Sequence, residues 1–124
     1  MKVGIVGSRN FSDYPKFKQL VVQWLKKNGI KPENLIVVSG GAKGVDKLAE
    51  RFALEETKNK PIIFLPQYSL FSAKEQRKAP LARNQQIVNE SERIIAFPTK
   101  DSTGTYHTIN LAKKKKIPTD VFNV

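Results

Sequence analysis

The stretch LIVVSGGAKGVDKLAERFA, Leu35 to Ala53, holds the parts from which a fold class can be read. Leu35–Val38 is an apolar, β-branched run of the kind found in buried strands. Ser39–Asp46 is a glycine loop, after which Val45, Leu48, Ala49, Phe52 and Ala53 recur at the spacing that lines one face of a helix. A strand apolar on both sides that turns tightly into a helix is half of a parallel βαβ unit, because both faces of its sheet must be covered. Gly40, Gly41 and Gly44 lack a Cβ, so the loop either turns a corner or brings backbone amides and Lys43 up to an anion at the helix N-terminus. The residues leave both readings open. The loop is not GxGxxG, and a P-loop needs Lys-Ser or Lys-Thr where Val45 follows Gly44.

The same alternation runs along the chain. Lys2–Val6 reads as a buried strand stopped by Gly7-Ser8, and Phe17, Leu20, Val21 and Trp24 form a helix stripe ended by Asn28-Gly29. Pro61–Leu65 reads as a strand, Leu81–Asn89 as a helix, Arg93–Phe97 as a strand, Tyr106–Lys116 as a helix and Thr119–Val124 as a last strand. The expected fold is α/β: one Rossmann-like domain over residues 1–124, with a mostly parallel five-stranded sheet and helices on both faces. Ligands in such sheets bind beyond the carboxyl ends of the strands, where the strand order switches. Gly7–Phe11, Ser39–Asp46 and Pro98–Thr105 are the loops expected on that edge.

Composition narrows the function classes. The 124 residues carry no cysteine, which excludes disulfides, thiolate zinc sites and thiol nucleophiles and fits a reducing compartment. The apolar run in MKVGIVGSRN is too short for a signal peptide and no run approaches a membrane span, so the expected location is the cytoplasm, with no membrane partner. Lys and Arg outnumber Asp and Glu by 22 to 11, a net +11 that favours polyanions at low salt and suits either weak nucleic-acid binding or plain solubility. With one histidine and no cysteine, no transition-metal site is expected. The run Lys113–Lys116 reads as a solvated helix end, Phe17 and Trp24 as core, and Tyr14, Tyr68 and Phe71 as loop aromatics.

The remaining loops add anion chemistry. In Gly7-Ser8-Arg9 the planar guanidinium of Arg9 suits phosphate. Ser102, Thr103 and Thr105 offer hydroxyls and amides around Gly104, although Ser and Thr there also serve as helix caps. Arg83 and Asn84 begin the helix that approaches the same edge.

Taken in order, GSRNFSDY, SGGAKGVD followed by LAE, ARNQQIV and STGTYHT resemble the YspA-like, cpYpsA-related branch of the SLOG superfamily. That superfamily groups Rossmann-like domains of the Lonely guy phosphoribohydrolases with DNA-processing protein A. The resemblance runs from Gly7 to Ala112. It implies a nucleotide-derived small molecule held at the carboxyl edge by Gly7, Ser8, Arg9, Ser39, Gly40, Gly41, Lys43, Gly44, Asp46, Arg83, Asn84, Ser102, Thr103, Gly104 and Thr105. Asp46 is the residue expected to meet a ribose hydroxyl or a Mg²⁺. It also implies a homo-oligomer. In the Lonely guy register Arg83 matches the family arginine, and Thr108 stands where the catalytic Glu belongs. A threonine hydroxyl does not act as a carboxylate base, so no catalytic residue is assigned. Three functions follow as expectations: a nucleotide-binding domain, a nucleoside-monophosphate N-glycosidase, and a single-stranded nucleic-acid binder.

Overall fold

The computed structural model describes all 124 residues. Five strands alternate with four helices: β1 (Lys2–Gly7), α1 (Tyr14–Lys27), β2 (Ile36–Ser39), α2 (Val45–Glu56), β3 (Ile62–Ile63), α3 (Lys78–Glu90), β4 (Arg93–Phe97), α4 (Thr103–Lys114) and β5 (Thr119–Val121). The sheet runs β3-β2-β1-β4-β5, and all four pairings are parallel, with Val3 opposite Val37 and Ile5 opposite Ile95.

Two apolar layers hold it together. Phe17, Val21, Trp24 and Leu25 from α1 and Val45, Ala49, Phe52 and Ala53 from α2 pack on one face of the sheet, over Val3, Ile5, Val37, Ile95 and Phe97. Ile87 and Val88 from α3 and Ile109 and Ala112 from α4 cover the other face, over Val6, Val38, Ile94 and Ala96. Burying each Phe or Ile fully is worth about 1.5–3 kcal/mol, so the stripes read from the sequence are what fix the layers. No helix is long and apolar enough to cross a membrane.

Local signals set the ends of α1. The Asp13 carboxylate accepts from the Lys16 amide at 3.1 Å, Pro15 occupies the first turn, and Gly29 leaves the helix at φ +66°. Phe17 and Trp24 are core, as expected, and Lys113–Lys116 are exposed at the end of α4.

Several boundaries differ from the sequence reading. The third strand shrinks from Pro61–Leu65 to Ile62–Ile63, because Pro61 has no N–H and the strand lies at the sheet edge, where short pairing suffices. The last strand ends at Val121, not Val124, at the opposite edge. α3 begins three residues before Leu81, and α4 begins at Thr103, which takes Thr103–Thr105 out of the loop and into a helical turn. Tyr14 is not a loop aromatic: it is buried at the start of α1, 6.3 Å from the Phe17 ring centroid, with the Arg51 guanidinium 3.9 Å over its ring.

Candidate functional site

The strand order switches between β1 and β4, neighbours in the middle of the sheet. The helix that follows β1 packs on one face and the helix that follows β4 on the other. Their connections therefore diverge and leave a crevice at the carboxyl edge. A cavity of about 530 Å³ occupies it, with few apolar residues in its walls.

Its floor is a web of hydroxyls. The Ser8 amide donates to Phe97 O at 3.0 Å, closing the end of β1 on β4. Ser8 Oγ accepts from the Asn10 amide and from Thr99 Oγ1, each at 3.0 Å, and Ser102 Oγ accepts from the Thr99 amide at 2.9 Å. Two loops ninety residues apart in sequence are thus joined through Thr99, which the motif reading passed over. Its place directly after Phe97-Pro98, at the end of an apolar strand, was the available signal. Arg9 lies at the cavity wall, exposed and in no ion pair.

The α4 N-terminus forms the opposing wall through Ser102, Thr103, Gly104, Thr105 and Thr108. The Thr103 amide donates to Asp101 O and the Tyr106 amide to Ser102 O, whereas the Gly104 and Thr105 amides between them have no protein acceptor. A Cβ on Gly104 would meet nothing within 4 Å, so this turn is open to the cavity. Ser102 is the N-cap residue, but its side chain makes no cap bond and serves Thr99 instead. Thr108 is buried, with its hydroxyl bonded back to Gly104 O at 3.2 Å. An open first turn of two unpaired amides, with the helix dipole behind it, has the chemistry that favours an anion.

The glycine loop of Ser39–Asp46 divides differently from the expectation. Only Ala42, Lys43 and Asp46 line the cavity; Ser39, Gly40, Gly41 and Gly44 do not. The amides of Gly41, Ala42 and Val45 are already engaged, with Ser39 Oγ, Asp46 Oδ2 and Ser8 O. Gly44, at φ +78°, lets the loop press on its neighbour, since a Cβ there would lie 2.6 Å from Arg9 Cα and closer still to Ser8 O. Gly40 leaves room for Arg83, whose Nη1 would stand 2.7 Å from an added Cβ. These glycines serve packing, and the unengaged amides lie across the crevice in α4.

Arg83 and Asn84 join the three walls from α3. Arg83 donates through Nη1 to Gly40 O and through Nε to Asn84 Oδ1 at 3.0 Å. Asn84 Nδ2 reaches Gly104 O at 3.3 Å and His107 Nδ1 at 3.1 Å. Both side chains are buried and both line the cavity, as does Asp46. Burial pushes the Asp46 carboxyl up to about 6, against the Ala42 amide bond and the Arg83 charge, which favour its ionised form. Burial likewise holds the Arg83 guanidinium below its usual range. No three His, Cys, Asp or Glu side chains come together as ligands for one ion.

Of the residues singled out in the sequence, Gly7, Ser8, Arg9, Lys43, Asp46, Arg83, Asn84, Ser102, Thr103, Gly104 and Thr105 meet at this one cavity. Leu81, Pro80 and Asp101 are among the lining residues that were not singled out.

Known proteins share this sequence pattern and fold. The family model for DNA recombination-mediator protein A matches residues 1–69. The Gene 61 protein of Mycobacterium phage D29 is 30% identical over 122 residues, covering 94% of this chain and 92% of the phage protein. Among solved structures, DNA processing protein A from Helicobacter pylori, studied for its single-stranded DNA binding mode, superposes with a TM-score of 0.68 at 26% identity. DNA processing protein A from Streptococcus pneumoniae shares the fold, with a TM-score of 0.70 at 24% identity. This chain is covered to 98% and 97%, but it spans only 64% and 49% of those two chains.

Proposed function

This chain belongs to the DNA recombination-mediator protein A family, and we propose that it binds single-stranded DNA by seating a backbone phosphate in the carboxyl-edge cavity. The observation that carries the reading is the pair of unpaired amides at Gly104 and Thr105, opening on a cavity that Arg9, Lys43 and Arg83 also line. Backbone amides fix the position of one phosphate, and the cations beside them make its binding depend on salt. The relative from Helicobacter pylori, described for binding single-stranded DNA, supports the choice of polymer. The lysine run does not belong to this interface: it lies at the far end of α4, roughly 17 Å along the helix from Thr103 at 1.5 Å per residue.

A nucleotide-derived small molecule, the ligand implied by the resemblance to the YspA-like branch, is the second reading. It is favoured by the convergence of walls from three loops and α3 on one crevice of about 530 Å³. A Mg²⁺ there would find Asp46 and Asp101 as carboxylates and would draw its other ligands from phosphate and water.

The test is fluorescence anisotropy with a labelled oligothymidylate across a salt series, alongside thermal shift with a nucleotide panel. Single-strand affinity should fall as salt rises, with a logarithmic slope of about 0.7 per phosphate neutralised. Arg9→Ala should lower that slope by about one such contact, and Gly104→Leu should abolish binding while leaving the thermal midpoint within a few degrees, since the added side chain enters open space. Absence of oligonucleotide binding at low salt, or binding untouched by Gly104→Leu, refutes the reading. A shift with mononucleotides alone selects the second.

A further inference from the structure

A second crevice, of about 370 Å³, runs between the second half of α1 and the edge strand β5, and it shares no lining residue with the cavity. Leu20 and Trp24 of α1 and Val121 and Phe122 at the end of the chain supply its apolar walls, and Val121 is 43% exposed. Arg93, the first residue of β4, stands in it with its guanidinium 5.1 Å from the Trp24 ring centroid. That guanidinium forms no ion pair, and its Nε is buried without a hydrogen-bond acceptor. The one carboxylate among the crevice's residues, Asp120, is engaged elsewhere: its Oδ2 accepts from Trp24 Nε1 at 2.6 Å. Arg93 has thus given up water without gaining a counter-charge, which a carboxylate entering the crevice would supply.

The strand beside the crevice is unpaired on its outer side. The Phe122 amide donates to Ala96 O at 2.8 Å and Pro118 O accepts from the Ile94 amide at 2.9 Å, so alternate residues turn their backbone to β4. Thr119 and Val121, the residues between, turn theirs outward. The surroundings are basic. Lys27, in the last turn of α1, lines the crevice, and Lys113–Lys116 lead from the end of α4 into β5. All are exposed and none is in an ion pair. Lys116 is also the only non-glycine residue at positive φ, +61°, where its amide donates to Lys113 O and the Ile117 amide to Ala112 O. Glycine suits such a helix end best, so a lysine here gives up stability and keeps a charge just before β5.

We propose that the crevice and the β5 edge together receive an acidic, extended segment of a partner protein, which adds to the sheet beside Thr119 and Val121 and places a carboxylate on Arg93. Main-chain bonds to a free sheet edge supply affinity whatever the sequence, and the side chains at alternate positions supply selectivity. Here the apolar walls take one side chain, and Arg93, Lys27 and the lysine run select acidic neighbours for it. A second copy of this chain is a poor occupant, because it would bring two lysine runs together on chains that each carry +11. A nucleic-acid backbone would answer the charges but makes no use of the outward N–H and C=O groups. The Trp24 ring is buried, so no base stacks on it. Since the crevice and the cavity share no residue, both can be occupied at once, and the proposal does not rest on the single-stranded DNA reading.

The probe is a labelled peptide of about ten residues in which Glu alternates with Thr and Val, read by fluorescence anisotropy on the full chain. Two control peptides accompany it, one with Gln in place of Glu and one N-methylated along its backbone. The acidic peptide should bind at least about tenfold more tightly than either control. Arg93→Gln should weaken it by about tenfold or more, and Lys27→Gln by less, while affinity for oligothymidylate at about 0.15 M salt stays unchanged. Lys27 is exposed, so its variant tests the charge without disturbing the contact between Arg93 and Trp24. Lys116→Gly separates charge from fold: the thermal midpoint should rise while peptide affinity falls. No binding of the acidic peptide, equal binding of all three peptides, or binding untouched by Arg93→Gln overturns the proposal. Loss of oligothymidylate affinity in Arg93→Gln and Lys27→Gln overturns it in favour of nucleic acid, and a dimer that Val121→Asp dissociates in sedimentation velocity overturns it in favour of a second copy. Gly104→Leu should bind the peptide as the wild type does, so failure at the cavity and failure at this crevice are told apart.

Discussion

Replacing Asp46 by Asn should make the protein more stable at neutral pH, even though it removes the counter-charge of a buried arginine. Asp46 is buried, and its carboxyl titrates at about 6 instead of the ordinary 3.8. That value already contains the attraction of Arg83 and Arg9, the Ala42 amide bond and the repulsion of Glu50, so it measures the net cost of holding the charge in place. Below pH 3.8 the group is protonated in folded and unfolded chains alike, and it contributes nothing. Between 3.8 and about 6 the unfolded chain releases the proton first, so stability falls as pH rises; above about 6 the cost is complete. A separation of about two pH units at about 1.4 kcal/mol each gives a cost of about 3 kcal/mol.

Asn cannot ionise and keeps an oxygen for the Ala42 amide. Urea unfolding of wild type and Asp46→Asn at pH 8, 6 and 4 should show the variant ahead by up to about 3 kcal/mol at pH 8, with the gap closing toward pH 4. Other titrating groups cancel in that difference. A variant less stable at pH 8, or a gap that does not change with pH, refutes the reasoning: it would mean that the attraction of Arg83 outweighs burial and that the pair holds the fold together.

Three further substitutions test the packing of the fold. Gly44→Ala should cost about 2–3 kcal/mol in thermal or urea unfolding, because φ is +78° and the new Cβ meets the backbone of Ser8 and Arg9; Gly41→Ala, at φ +70° but facing only the Ile63 and Leu65 side chains, should cost less. Trp24→Phe should lose about 1–2 kcal/mol, since it removes the 2.6 Å bond from Nε1 to Asp120 and weakens the contact of the Arg93 guanidinium 5.1 Å from the ring centroid.

The fold was legible because periodicity reports burial directly. Apolar β-branched runs marked β1, β2 and β4, which lie inside the sheet, and stripes such as Phe17-Val21-Trp24 marked the helices. The two strands drawn too long, β3 and β5, are the sheet edges, where pairing stops on one side and an apolar residue no longer guarantees a ladder. The start of α4 was missed because Ser102–Thr105 has no apolar residue to carry a helical period; its helicity comes from the turn that Ser102 and Thr99 build together.

Which residues meet at the cavity was largely legible in the sequence; which glycines serve packing was not. Glycines in a loop signal that a Cβ does not fit, without saying what excludes it: at Gly40 and Gly44 the occupant is protein, Arg83 in one case and the β1–α1 loop in the other, and at Gly104 nothing fills the space. Only tertiary contact separates these cases, and it also sets Asp46 and Arg83 beside each other at Gly40, close enough to attract without forming an ion pair. The bonds around the two charges explain why a fold would tolerate Asp46 at a cost. Its Oδ2 holds the Ala42 amide, and Arg83, held in turn by Gly40 O, carries Asn84 to the first turn of α4. The two buried charges therefore stand in the bonded network that links the glycine loop through α3 to the first turn of α4, and stability is given up where that network joins the walls of the cavity.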